Sequence, residues 1–362
     1  MRRFLHSILV LTNLVFALGL LLSYLSVYIS PEKFWLIALV GLAYPFLLII
    51  NIFFLAYWIF RWKIEFLIPL VAILLGIAHL SSFFQFPFGK SDLDKDSKST
   101  QVKVISYNVN LFRLYSWSNK PATHKDIVNY VKQEKADIVC FQEFYITNDK
   151  FSQADAKKAM GMNAHIDYIV KRKTNGYGIA TFSRYPIINR GDIKFENTAN
   201  SCIYTDIKVG KDTIRVYNIH LQSLRLKERN LKFLLNNQAA KNKNQTMDEI
   251  KDISFKLRDA FIKRAQQVDL VSNHMAKCKH PIIVCGDFND SPVSYSYKKM
   301  RRGLNDSFIQ AGVGIASTYS GLMPSYRIDY VLNSDALNAV KFNSPKLEYS
   351  DHYPVVVTFS KK

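Results

Sequence analysis

The sequence predicts an α/β protein: two packed, mostly antiparallel sheets flanked by helices and preceded by three transmembrane helices. Three observations carry this expectation. Charge is nearly absent before residue 89 and abundant after it. From residue 101 onward, short β-branched and aromatic runs alternate with helical stretches. Several of those runs end or begin on a polar residue able to do chemistry.

The chain has 362 residues, enough for a membrane part and one large core. Its first 88 residues hold three long apolar runs, about 5–29, 34–60 and 64–86. Each exceeds the roughly 20 residues a helix needs to cross a bilayer. Ser30-Pro31-Glu32-Lys33 and Arg61-Trp62-Lys63 separate them, and Pro45 and Pro69 predict kinks in the second and third. Trp35, Trp58 and Trp62 fall near the predicted ends, where amphipathic rings prefer to lie. Arg2-Arg3 resembles the start of a signal peptide, but no small-x-small cleavage site follows, which favours a retained helix. Arg2, Arg3, Arg61 and Lys63 against Lys33 put the start of the chain in the cytoplasm. Three crossings then place the rest outside it, as a multi-pass protein with an extracytoplasmic domain.

Of 48 Lys+Arg and 29 Asp+Glu, five and two lie before residue 89; the remainder holds 43 basic and 27 acidic residues, net +16. Such a domain attracts anions such as nucleic acid, anionic lipid or phosphorylated small molecules, or is simply a solvated cationic surface. Residues 89–100 are polar and predict a linker. Asp92, Asp94 and Asp96 resemble a calcium loop, but Ser97 and Lys103 occupy its glycine and glutamate positions. Cys140, Cys202, Cys278 and Cys285 lack metal-ligand spacing, and Cys140 and Cys285 sit in apolar runs, predicting buried thiols.

Within 101–362 the expected strands are Val102–Tyr107, Asp137–Phe141, Ile166–Val170, Gly178–Ser183, Cys202–Val209, Thr213–Ile219, Pro281–Cys285, Ile328–Leu332 and Tyr353–Phe359. Expected helices are Thr123–Glu134, capped by Thr123, Gln153–Met160, Leu257–Ala276 and Val293–Arg302. Residues 224–256, rich in Lys, Asn and Gln, predict a helical insertion or a loop near the site.

The chemistry lies at the strand ends. Apolar runs are followed by Asn108, Glu143, His220 and Asp287, the last with Asn289. Asp329 and Asp351-His352 open two others. Neighbouring antiparallel strands end and begin at one edge, so six segments deliver these groups to one rim. Any one of them alone reads as a strand surfacing or a turn. The set matches what a phosphate ester requires. Mg²⁺, or Mn²⁺ in its place, offsets phosphate charge and prefers oxygen ligands, a role for Glu143. Asp287, Asn289 and the Asp329/His352 pair are candidates to activate and orient water, and His220 to hydrogen-bond a phosphate oxygen. No Gly-x-Ser-x-Gly elbow or Cys-His signature occurs, so the nucleophile is water.

At these residues the sequence resembles the endonuclease/exonuclease/phosphatase superfamily over about 101–360. The resemblance rests on Ser106-Tyr107-Asn108-Val109-Asn110, Phe141-Gln142-Glu143, Gly178-Ile179-Ala180-Thr181-Phe182-Ser183-Arg184-Tyr185-Pro186-Ile187 and Asn218-Ile219-His220-Leu221. It continues through Gly286-Asp287-Phe288-Asn289-Asp290-Ser291-Pro292, Arg327-Ile328-Asp329-Tyr330 and Ser350-Asp351-His352-Tyr353-Pro354. Each motif is short; together, in family order, they are specific. The resemblance implies a four-layered α/β sandwich. It implies a metal on Glu143 with Asn108 nearby and Asp351 close to the metal or a second one. Asp287 would orient or activate water, Asn289 hold the scissile phosphate and His220 contact it. His352 would be the acid/base group, steered by Asp329.

The substrate is less defined. The inositol 5-phosphatase branch carries a Trp-Cys-Asp-Arg type segment where this chain has Ser325-Tyr326-Arg327-Ile328-Asp329-Tyr330, and an Arg that Asp290 does not match. Tyr349 to Val355 resembles sphingomyelinases, and Gly286 to Pro292 resembles nuclease-like members equally well. Two enzymatic readings follow: a phosphodiesterase acting on lipid headgroups, or a membrane-tethered nuclease. A non-catalytic scaffold would require a lost catalytic residue, and none is lost.

Overall fold

A computed structural model describes residues 1–87, 101–113, 124–148, 151–226, 229–230, 232–233, 243–321 and 327–361. The expected linker at 89–100, with its aspartates, lies outside them, as does the cap at Thr123.

The apolar part differs from the three spans expected. One helix, Arg3–Leu25, is long and apolar enough to cross a membrane. The second run is two helices, Leu36–Leu42 and Tyr44–Phe60, bent by 56°. Pro45 explains the break: it has no N–H to give the carbonyl four residues back, and its ring collides with that carbonyl. The third run holds a short apolar helix, Ile64–Leu75, stopped at Gly76. A Cβ at Gly76 would lie 2.1 Å from the Tyr24 ring, so glycine is needed for this approach. The extracytoplasmic placement counted three crossings and loses that basis.

These helices enclose the apolar cluster of Ala17, Leu20, Tyr44, Leu48 and Ala72, and their outer faces are apolar as well. Buried polar groups join them: Trp58 Nε1 donates to Asn13 Oδ1 at 2.8 Å, and Asn51 Nδ2 donates to the Phe16 and Leu47 carbonyls. Leu11, Val15, Leu18, Phe53 and Leu75 point outward. Only 22% of the first helix's apolar window is buried, whereas the core helix of a soluble protein is mostly buried.

The strands are β1 Phe84–Gln85, β2 Gln101–Asn108, β3 Ile138–Thr147, β4 Asn163–Lys171, β5 Asn175–Ser183, β6 Ile187–Ile193, β7 Ser201–Val209, β8 Asp212–His220, β9 Ile282–Asp287, β10 Asn305–Asp306, β11 Gly314–Ile315, β12 Asp329–Asn333, β13 Leu337–Asn343 and β14 Val355–Lys361. One six-stranded sheet runs β10-β12-β9-β8-β7-β6, the other β13-β14-β2-β3-β5-β4. Both are mixed. Each has one parallel pair at its centre, β8–β9 and β2–β3, among antiparallel neighbours.

Period-2 alternation sorts side chains into layers. Val102, Val104, Ile138, Val216, Ile283 and Val357 pack between the sheets. Ile105, Tyr107, Val139 and Phe141 face outward onto helices His124–Gln133 and Gln153–Met160. Tyr217, Ile219 and Val284 meet Val268 and Val271 of helix Lys243–Met275 on the other side. Helix, sheet, sheet and helix give the expected four layers.

Five strands are not among those expected: the two-residue β1, β10 and β11, and the longer β6 and β13. β6 and β13 are sheet edges whose charged and amide residues leave no apolar alternation. Helix Lys243–Met275 begins well before the expected Leu257, because its first turns are polar. Only parts of 224–256 are described; within them, 243–256 is helical.

His165 on β4 links the two sheets, its Nδ1 2.9 Å from Thr205 Oγ1 on β7. Burial, with Arg190 nearby, lowers the His165 pKa from 6.5 to about 4. The unfolded chain therefore binds the proton more readily. Stability from this neutral histidine is complete above pH 6.5 and is lost as pH falls toward about 4. We expect His165→Gln to flatten the thermal-stability profile between those pH values; a variant profile as steep as wild type would contradict this.

Candidate active site

The two central parallel pairs finish at the same rim. Their carboxyl ends carry Asn108 on β2, Glu143 within β3, His220 on β8 and Asp287 on β9. Asp287 pairs in register with His220 on one side and with Asp329, the first residue of β12, on the other. β3 is irregular between Phe141 and Phe144, and Glu143 there takes a left-handed φ of 51°. Such a bulge re-aims a side chain out of its alternation. Asn289 (φ 52°) turns the chain directly after β9.

Glu143, Asp287, Asn289, Asp351 and His352 line one cavity of about 270 Å³. The other three predicted residues support it. Asn108 Nδ2 donates to Asp287 Oδ2 at 3.0 Å. His220 Nε2 lies 3.5 Å from Glu143 Oε1 and 3.8 Å from Asp287 Oδ2. Asp329 Oδ2 is 3.0 Å from His352 Nδ1, leaving His352 Nε2 3.8 Å from Asp287 Oδ2. The Asn289 backbone N–H donates to Asp287 Oδ1 at 2.7 Å, and its side-chain amide reaches Asp287 Oδ2 and the Leu221 carbonyl. All eight residues therefore meet at one place. Ser350 ties the segments together, its hydroxyl donating to the Asn108 carbonyl and accepting from the His352 N–H.

Several site neighbours were not singled out from sequence. Beneath the cavity, Gln142 Nε2 donates to Asn218 Oδ1 at 2.8 Å and to Ser106 Oγ, while Asn218 Nδ2 donates to the Ala180 carbonyl. This buried polar layer fixes both amides. Its signal was strand parity: Ser106 and Asn218 stand two residues before Asn108 and His220, on the same face. Thr318 Oγ1 accepts the N–H groups of Ile328 and Asp329, and Tyr319 packs edge-on against His352 at 5.1 Å. Leu42, Leu224 and Arg225 also line the cavity.

A model of the endonuclease/exonuclease/phosphatase family matches residues 105–352. The chain belongs to this family. A second model, a domain of unknown function (DUF8431), matches residues 6–83. An endonuclease/exonuclease/phosphatase from Beutenbergia cavernae DSM 12333 superposes with a TM-score of 0.52 at 15% identity, covering 72% of each chain. The Bacteroides vulgatus endonuclease/exonuclease/phosphatase gives 0.52 at 14%, over 73% of this chain and all of that one. Humanized D. rerio TDP2 gives 0.52 at 17%, over 72% of this chain and 99% of that one. No curated protein matches. At these identities the likeness establishes the fold.

The endonuclease/exonuclease/phosphatase family hydrolyses phosphate esters with a divalent metal, and the side chains here fit such an ion. Burial raises the Glu143 pKa, and Asp351 adds to the rise. Burial and the neighbouring Asp329 likewise push Asp287 up. Carboxylates in mutual repulsion around one cavity are what a divalent cation relieves. His220 Nε2 is buried with no hydrogen-bond partner, and burial pushes its pKa down. Asp287, Asp329 and His352 bring donor atoms within 4.8 Å of one another, but Asp329 and His352 are hydrogen-bonded to each other. That pairing suits acid/base work better than ligation, and it leaves Glu143 and Asp351 facing the cavity. Burial alone would lower the His352 pKa, yet Asp329 and Asp287 outweigh it and hold the imidazole well above its ordinary value.

Proposed function

We propose that this family member is a phosphodiesterase dependent on a divalent metal, Mg²⁺ or Mn²⁺, and held at a membrane by its N-terminal apolar part. The observation that carries the reading is the convergence of eight polar residues, from segments spread over the whole soluble region, on one cavity. The outward apolar faces of the N-terminal helices support the anchorage.

Glu143, with Asn108 and Asp351, would hold the cation, which when bound would offset the charge of the phosphate. Asp287 is fixed by hydrogen bonds from Asn108 and Asn289 and accepts a proton from the attacking water. Asn289 positions the scissile phosphate. His220, neutral and protonated at Nε2, donates from that unpartnered nitrogen to a phosphate oxygen. His352, kept protonated by Asp329, donates to the leaving oxygen.

The test uses the full chain in detergent with bis(p-nitrophenyl) phosphate. Turnover is expected with Mg²⁺ and abolished by chelator; turnover unchanged by chelator would refute the reading. Asp329→Asn keeps the shape but removes the charge that steers His352. It should lower kcat roughly hundredfold with little change in KM. An unchanged kcat would remove Asp329 from that role.

A further inference from the structure

The apolar part is docked against the catalytic part beside the site. Ser26 Oγ donates to the Val293 carbonyl at 3.1 Å. Val293 itself joins the apolar cluster of Ala17, Leu20, Val27 and Tyr44. Gln266 Nε2 donates to Glu32 Oε1 at 2.9 Å, and β1 pairs with β11, the strand leading to Tyr319. Gly41 sits in the tightest place: a Cβ there would lie 2.3 Å from Ser26 Oγ and 2.7 Å from the Val293 carbonyl. Only glycine permits this approach, and the approach delivers the next residue. Leu42, at the break in the helix, forms part of the cavity wall with Glu143, Asp287 and His352.

The reacting groups thus share a wall with the part of the chain whose outer surface is apolar. Leu224, Leu226 and Ile328 extend that wall, and Arg225 adds a positive charge. Where the first helix ends, Tyr28 lies 5.5 Å from Lys298 Nζ. A second cavity there, of about 670 Å³, is lined by Lys298, Lys299, Arg301 and Arg302. Basic groups at that level hold a domain against anionic headgroups. The aliphatic side of the cavity offers no stacking face for the bases of a nucleic acid, and the Tyr319 ring in its lining is packed edge-on against His352.

We propose that the substrate is a phosphodiester of a membrane lipid, with its phosphate among Glu143, Asp287 and His352 and its apolar part against Leu42, Leu224 and Leu226. The proposal rests on the phosphodiesterase reading above. One water is consumed: its oxygen bonds to phosphorus, one P–O ester bond breaks, and the leaving oxygen takes a proton. The products are an alcohol and a phosphate monoester.

The full chain is reconstituted in vesicles of phosphatidylcholine, phosphatidylglycerol and sphingomyelin. With Mg²⁺ it is assayed against those lipids, against single-stranded DNA and against bis(p-nitrophenyl) phosphate. Lipid turnover is expected to exceed DNA cleavage by at least about tenfold. Leu42→Ser is expected to lower the ratio of lipid to soluble-ester turnover about tenfold, as for loss of one leucine's apolar contact. An unchanged ratio in that variant would overturn the placement against Leu42. The wild-type comparison stands even if the variant fails to fold. Soluble ester hydrolysed without lipid hydrolysis, or DNA cleaved faster than lipid, would overturn the proposal and leave the phosphodiesterase standing. Failure on every ester would bring down both.

Discussion

Glu143→Gln should lower kcat about thousandfold and raise the Mg²⁺ concentration needed for half-maximal turnover. The change removes one charge and almost no volume. Glu143 is aimed into the cavity by an irregular strand and a left-handed backbone, and glutamine can occupy the same space. Stability separates loss of function from loss of fold. Burial and Asp351 both disfavour the Glu143 carboxylate, so its charge destabilises the folded state at neutral pH. The variant should melt at the wild-type temperature or above. Turnover and thermal melting on one preparation suffice, and wild-type kcat with wild-type metal dependence would remove Glu143 from the site's chemistry.

Arg327→Met should be the most destabilising single change outside the N-terminal apolar part, by about 3–5 kcal/mol. Arg327 Nη1 and Nη2 donate to Asp306 Oδ1 and Oδ2 at 3.0 and 2.6 Å, and both residues are at most 1% exposed. The guanidinium also lies over the rings of Tyr330, Phe308 and Tyr297. Methionine fills the aromatic cage but leaves the Asp306 carboxylate buried without its counter-charge, held by the Tyr297 hydroxyl and the Phe308 N–H. Adding Asp306→Asn removes the stranded charge and should recover much of the loss, because an ion pair replaced whole costs less than one broken. Chemical denaturation in detergent reads both. A loss below about 1 kcal/mol in the single variant would show that the Tyr297 and Phe308 donors suffice to hold the Asp306 carboxylate.

The rim of the site was legible because of how the central strands are written. Runs such as Ile282 to Cys285 are apolar throughout, so the first polar residues beyond them, Asp287 and Asn289, stand out. The polar layer below did not stand out. Ser106, Gln142 and Asn218 sit inside otherwise apolar strands, and only their hydrogen bonds, one between β3 and β2 and one across to β8 of the other sheet, give them purpose. Edge strands β6 and β13 were lost for the opposite reason, since little of either is buried enough to enforce alternation. In the apolar part, composition reported hydrophobicity correctly but not continuity. Pro45 was legible as a kink, while the 56° bend it marks divides one expected span into two helices. Leu42 had no local signal, because its place in the cavity depends on residues at least a hundred positions away, from Glu143 to His352.

The order in which the sheets close has a kinetic consequence. β14 is inserted between β13 and β2, so a strand near residue 360 completes a sheet begun near residue 101. The Ser350–Asn108 hydrogen bond spans 242 residues and the Asn108–Asp287 bond 179. Contacts of such separation form only after long loops have closed, which makes them slow. His352 enters immediately ahead of β14, so the acid/base group and the sheet are completed by one event. Partly assembled chains would therefore carry an incomplete site, and hydrolysis would begin only once assembly is finished.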